Sequence, residues 1–201
     1  MIGIIDYGMG NLGSVGNALS YLNVPYQICE TKQQIQQCDK LILPGVGAFA
    51  QGMENLKEKG LDQTVREMVD SKVPLLGICL GMQMLFETSG EKGIHQGFGF
   101  IEGKVIKIEE NLPVPEIGWN ELIFNQNSNL KERFNHAYMY YVHSYYASVK
   151  NESNLIAYSE YGNTKVAGIV QKDNVIGTQF HPEKSGEQGL KLLKYFVEDF
   201  L

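Results

Sequence analysis

The sequence predicts an α/β fold: an open, mostly parallel central sheet with helices on both faces, followed by an antiparallel, strand-rich C-terminal half. Three observations predict it. Short apolar runs alternate with longer amphipathic stretches as far as Phe86, which is how βα units around a parallel sheet read. Beyond that point the apolar runs are strand-length and separated by Asn, Gly and Asp turns. The 201 residues suit one domain, taken as 1–201, without an internal repeat, low-complexity segment or linker.

In chain order, Ile2-Gly3-Ile4-Ile5 has the pattern of a short buried strand. Leu12, Val15, Leu19 and Leu22 recur at spacings of three, four and three, so they share one helical face. Val24 to Cys29 reads as a second strand and Lys40 to Leu43 as a third, ended by the turn Pro44-Gly45-Val46-Gly47. Leu61, Val65, Met68 and Val69 mark a helix before the strand Leu75 to Ile78, and an amphipathic run from Met82 to Phe86 follows. Strand-like runs then cover Phe98 to Glu109, Glu121 to Phe124, His136 to Val142, Leu155 to Tyr161, Lys165 to Val170 and Val175 to Phe180. Asp173-Asn174 separates the last two as a hairpin turn. A closing helix places Leu190, Leu193, Val197 and Phe200 on one face, with Lys191, Lys194 and Glu198 off it.

Charge narrows the function. Seventeen basic against 23 acidic residues give a net charge of −6, and no Lys/Arg run exists to attract phosphates. Nucleic acid and anionic membrane surfaces are therefore excluded as partners. No stretch reaches the roughly 20 apolar residues that span a bilayer. Three cysteines make no disulfide framework, and the N-terminus lacks a basic signal-peptide region, so a soluble protein of a reducing, cytoplasmic compartment is expected. Glycine is in excess, 22 residues where composition averages predict about 14 (~7%).

Four of those glycines surround chemistry. Gly77-Ile78-Cys79-Leu80-Gly81 lies between a strand and a helical run, the form of a nucleophile elbow. Glycines two residues either side let the chain bend sharply and present Cys79 at the sheet's C-terminal edge. On its own, Cys79 reads equally well as a small buried hydrophobe. The balance changes with His181-Pro182-Glu183 at the end of the last strand. A cysteine nucleophile needs a base, and the base needs an orienting group. Residues two apart on an extended backbone share a face, about 6.6 Å apart along the strand, so Glu183 can reach His181. The Leu80 amide and the glycines of the 44–47 turn are the candidate oxyanion donors.

A competing signal is Gly8-Met9-Gly10-Asn11-Leu12-Gly13, a G-x-G-x-x-G after the first strand, with Glu30 after the second. That outlines a dinucleotide-binding module. Against it, the chain turns antiparallel before a second mononucleotide half could be built. Cys29 and Cys38 lack His or Asp at metal-ligand spacing and read as structural, so no metal or other cofactor is expected. His95 and His136 read as surface or turn residues, and Tyr140 to Tyr146 as aromatic core and interface.

With these residues in view, the chain resembles the class I, triad-type glutamine amidotransferases over essentially its whole length. GICLGMQ at 77–83, PGVG at 44–47 and HPE at 181–183 recur there in this order. The resemblance implies a flavodoxin-like fold and glutaminase activity, with Cys79, His181 and Glu183 as triad and the Gly47 and Leu80 amides as oxyanion hole. Gln83, Glu91, His143, Ser144 and Tyr145 would line the pocket for the substrate, glutamine. The opening IIDYGMGNLGSV, LPGVGAF at 43–49, IGWNE at 117–121, YYVHSYY at 140–146 and GTQFHPEKS at 177–185 resemble one branch of the family. Members of that branch form heterodimers with a (β/α)8 barrel cyclase that makes imidazole glycerol phosphate and aminoimidazole carboxamide ribotide in histidine biosynthesis. Asn11, Tyr141 and Lys184 would face that partner. Ile117 stands where many relatives have Met. A near-identical branch supplies ammonia for amidino-sugar synthesis on surface polysaccharides, and the two are not separated by these residues.

Overall fold

A computed structural model describes residues 1–109, 111–125 and 128–201. The chain starts with β1 (Ile2–Ile5), α1 (Leu12–Tyr21), β2 (Tyr26–Cys29), α2 (Lys32–Gln36) and β3 (Lys40–Gly45). Helices α3 (Phe49–Glu58) and α4 (Leu61–Asp70) lead to β4 (Leu75–Cys79) and the one-turn helix α5 (Leu80–Met84). Strands β5 (Phe86–Ser89), β6 (His95–Gln96), β7 (Ile101–Lys107), β8 (Glu116–Glu121) and β9 (Ile123–Phe124) precede α6 (Asn129–Phe134). After these come β10 (Tyr138–His143), β11 (Tyr145–Val149), β12 (Leu155–Tyr161), β13 (Thr164–Lys172), β14 (Val175–Thr178) and α7 (Gly186–Glu198).

Eight strands form the main sheet in the order β2-β1-β3-β4-β14-β13-β12-β9. The first five run parallel, and β13, β12 and β9 extend the sheet by antiparallel pairing. Strand alternation sends side chains to two cores. Ile5, Leu41, Leu43 and Leu75 pack with α3 and α4, whereas Ile2, Ile4, Ile42, Leu76 and Ile78 pack with α1 and α7. Helices therefore cover both faces, as the sequence predicts. Two smaller sheets, β10-β8 and β11-β7-β5-β6, stand beside the main one.

Several elements differ from the sequence reading. β3 continues through Pro44 and Gly45, which pair with Ile78 and Cys79. Pro44 is tolerated because Leu41 donates toward the β4 side, so alternate residues face β1, which has ended at Ile5. The Pro44 carbonyl on that side accepts from the Tyr7 hydroxyl at 2.8 Å. Phe86 belongs to β5 rather than to a helix, since the turn at Leu80 winds only five residues. The buried face of α7 is Gly189, Leu192, Leu193, Tyr195 and Phe196, with Leu190 and Val197 at its half-buried margins. α2, α3, β5, β6, β8, α6 and β11 have no counterpart in the sequence reading.

Candidate active site

β4 ends at Cys79, whose backbone sits at φ 54°, ψ −108°, a conformation that L-residues adopt only under constraint. The flanking glycines show where the constraint comes from. A Cβ on Gly81 would lie 1.8 Å from the Leu43 carbonyl oxygen, and one on Gly77 would lie 2.8 Å from the backbone of Gly81 and Met82. A Cβ on Gly45 would strike the Tyr7 hydroxyl at 2.4 Å and Leu80 Cβ at 2.8 Å. The strand ends and the turn at Leu80 are thus packed backbone against backbone, and the bend holds the Cys79 side chain at the edge of the sheet.

β14 brings the second element. Its register with β4 aligns Gly177 with Gly77 and Thr178 with Ile78, so His181, three residues on, arrives beside Cys79. The His181 amide donates to the Tyr140 carbonyl at 3.0 Å. Ser185 ties the same segment down, donating its hydroxyl to the His181 carbonyl at 2.7 Å and accepting from the Tyr140 amide at 2.9 Å. Pro182 opens a single 3₁₀ turn, Pro182–Lys184, rather than continuing the expected extended run. That turn folds Glu183 back, and its Oε1 lies 2.8 Å from His181 Nδ1, with the side chains 2% and 1% exposed.

The other ring nitrogen, Nε2, is buried without a hydrogen-bond partner. Cys79 lies near enough to bias its protonation though it is not aligned as a bond, an arrangement common in ligand-free sites. Burial alone would drive the His181 imidazole down. The Cys79 and Glu183 side chains outweigh it and carry the imidazole up to about 9, so it is protonated at neutral pH. Beneath them, burial and the Cys79 charge push the Tyr7 phenol up, so it stays a neutral donor to Pro44.

Cys79 and His181 open into a cavity of about 300 Å³ that Gly47, Leu80, Gln83, Glu91, His143, Ser144 and Tyr145 also line. Every residue expected at the oxyanion hole or glutamine pocket is therefore at this cavity. Gly47 turns at φ +103°, and the Glu91 carboxylate accepts from the Phe49 amide at 2.8 Å, pinning the next helix to the same wall. Sequence reasoning missed Gln179, a fully buried amide 3.7 Å from the Cys79 sulfur, and Glu116, whose carboxylate is 3.1 Å from His143 Nε2. That last contact is close but too bent for a hydrogen bond. Gln179 falls within the GTQFHPEKS stretch but was given no role there, and Glu116 lies just before IGWNE; a polar residue next to an apolar run was the only signal either offered.

The residues expected at a partner face divide. Asn11 caps α1, accepting from the Ser14 amide at 3.2 Å, and Lys184 is exposed. Tyr141 is the correction: it is wholly buried, its hydroxyl 2.7 Å from Ser159, because the alternation of β10 turns it inward. The outward neighbour is Tyr140, edge-on to Trp119, and the exposed apolar residues Ile117, Trp119 and Tyr138 adjoin it. In a dinucleotide fingerprint the third glycine allows close helix–strand packing. Here a Cβ at Gly13 would meet nothing within 4 Å.

Cys29 and Cys38 are buried together with their sulfurs 3.7 Å apart, and His136 at φ 64° is a turn residue against Glu121. Among the described residues no cluster of three or more His, Cys, Asp or Glu side chains is placed to hold a metal ion. No helix there is long and apolar enough to cross a membrane.

Comparison with known proteins places this geometry. Residues 3–200 match the glutamine amidotransferase class-I family. The imidazole glycerol phosphate synthase subunit HisH of Bacillus subtilis is 45% identical, covering 98% of this chain and 96% of that protein. The protein of the same name from Sulfurimonas denitrificans is 44% identical, covering 98% of each. Among solved structures, one described as a glutamine amidotransferase superposes with a TM-score of 0.78 at 21% identity, covering 98% of this chain and 97% of that one. PurLQS from Thermotoga maritima gives 0.76 at 16% identity over 98% and 96%, a likeness of fold. With the family matched over residues 3–200, the chain belongs to the class-I glutamine amidotransferases.

Proposed function

We propose that the chain is the glutamine-hydrolysing subunit of an imidazole glycerol phosphate synthase, with Cys79 as nucleophile, His181 as proton carrier and Glu183 as the group that orients it. The observation that supports this most is the meeting of the strained Cys79 and the Glu183-bound His181 at one cavity. The full-length likeness to subunits of that name supports the choice of synthase.

The Cys79 thiolate attacks the side-chain carboxamide carbon of glutamine, and a sulfur–carbon bond forms. Charge developing on the carbonyl oxygen is met by the Gly47 and Leu80 amides. Protonated His181 delivers its proton to the departing nitrogen, the carbon–nitrogen bond breaks, and ammonia leaves a glutamyl thioester. Neutral His181 then takes a proton from water as it attacks, releasing glutamate and restoring the thiolate. Glu183 stays charged throughout, holding the imidazole by Nδ1. Gln83, Glu91 and the 143–145 segment bind the amino-acid end of glutamine.

Ammonia must reach its acceptor before water converts it to ammonium, which favours a partner docked over the cavity. A (β/α)8 barrel cyclase seated on the Ile117, Trp119, Tyr138 and Tyr140 face, with Asn11 and Lys184, meets that need. The test is Cys79→Ser in the assembled synthase: glutamine-dependent product formation is lost and ammonia-dependent formation is retained. Survival of the glutamine-dependent reaction would sink the reading.

A further inference from the structure

His181 covers one side of the nucleophile, and its other side is not bare. Gln179 lies two residues before His181 and is 0% exposed. Its Nε2 donates toward the Cys79 sulfur at 3.7 Å, within range for a sulfur acceptor. A buried amide has two ends, and which end faces the sulfur is set here by a second amide. Gln83 Nε2 donates to Gln179 Oε1 at 3.1 Å and to the Tyr145 carbonyl at 2.8 Å. The oxygen of Gln179 is occupied, so its nitrogen must be the end that points at Cys79. The Tyr145 carbonyl also accepts from His143 Nδ1 at 2.9 Å. A relay of hydrogen bonds thus runs from the wall of the cavity to the reacting atom.

We propose that Gln179 is a further catalytic residue of this site, donating its amide N–H to the Cys79 thiolate, with Gln83 as the positioning residue that orients it. The inference rests on Cys79 being the nucleophile. A neutral donor is the chemically suitable choice: it stabilises a thiolate without neutralising it, and unlike a second cation it does not compete with His181 for the proton. Gln83 takes a second role in consequence. Both its N–H groups are committed inside the protein, so only its Oε1 is free to accept from glutamine in the cavity.

The test uses the full chain carrying Gln179→Leu, with Gln179→Glu as a near-isosteric second variant and Cys79→Ala as control. The readouts are the rate at which iodoacetamide labels the Cys79 peptide and the kinetics of glutamine hydrolysis. Loss of one hydrogen bond to a charged sulfur predicts labelling about tenfold slower at pH 7, recovering toward the wild-type rate at high pH. Turnover falls with it while KM stays within about twofold. Gln179→Glu slows labelling further, because a carboxylate beside the sulfur repels it; should the leucine variant fail to fold, this one carries the test. Labelling at the wild-type rate at pH 7, or slowed equally at every pH, overturns the assignment. Glutamine hydrolysis surviving Cys79→Ala overturns instead the nucleophile reading beneath it.

Discussion

Gly81 leaves no room for a methyl group: its Cβ would sit 1.8 Å from the Leu43 carbonyl oxygen. Gly81→Ala is expected to cost about 3 kcal/mol, read by urea unfolding, and to abolish glutaminase activity. Gly13→Ala is the contrast. It sits inside α1 with open space around it, and alanine there should stabilise by about 0.5–1 kcal/mol. The glycine excess in the sequence is thus partly a packing demand at the elbow and partly not. His181 allows a finer measurement. By NMR titration its imidazole should titrate near 9, and in Cys79→Ala it should titrate lower, because one of the two groups that raise it is gone. The sign for stability follows: a raised histidine contributes fully below its unfolded value and loses that contribution as pH rises through about 9. Between those limits the wild type should lose more stability than His181→Gln. Cys79, His181 and Glu183 were legible as a group because their motifs are local; the contacts of Gln179 and Glu116 were not, since each is a single polar residue whose meaning comes from what the fold sets opposite it.

At the scale of elements, legibility followed apolar periodicity. β1, β4, β12 and α4 carry uninterrupted patterns, and the structure has them where the sequence predicts. α3 was invisible because Gly52 interrupts it, and Gly52 is there because a Cβ would press on the Met84 sulfur at 3.0 Å. α2 offers one buried apolar residue, Ile35, and is held by the Thr31–Gln34 capping box instead. β8 exposes Ile117 and Trp119 while burying Glu116, the reverse of an ordinary strand. α7 is docked by a contact no periodicity reveals: Lys40 on β3 donates to the Phe196 carbonyl at 3.0 Å and the Phe200 carbonyl at 2.5 Å. A cation on the last carbonyls of a helix is worth about 1 kcal/mol. Lys40→Met should therefore lower the melting temperature by about 2–4 °C, by calorimetry, and leave glutamine hydrolysis unchanged.

For the whole molecule, the central question is why an antiparallel pair, β8 and β10, stands outside the main sheet with aromatic side chains in water. Ile117, Trp119 and Tyr138 are 63%, 51% and 57% exposed, yet Met139 and Tyr141 between them anchor the same ribbon in the core. The ribbon is firmly held and its outer face is apolar, as a docking face should be. Trp119→Glu should weaken association with the proposed barrel partner at least tenfold by calorimetric titration, on the scale of a buried aromatic anchor. Unfolding of the isolated chain should change little. Charge and composition argue against nucleic acid, but this face was beyond them, because only register shows which side of a strand meets water.

The position of β14 has one more consequence. It is the last strand in sequence, yet it lies between β4 and β13 near the middle of the sheet. While the ribosome is still making the C-terminal third, β4 has an open edge, and Cys79 is separated by 102 residues from the histidine that would activate it. Such non-local pairing makes folding slow and leaves the nascent chain prone to mispairing. It also means that a partly synthesised chain carries Cys79 without its proposed base, so on that reading the capacity to consume glutamine arrives only with the final strand.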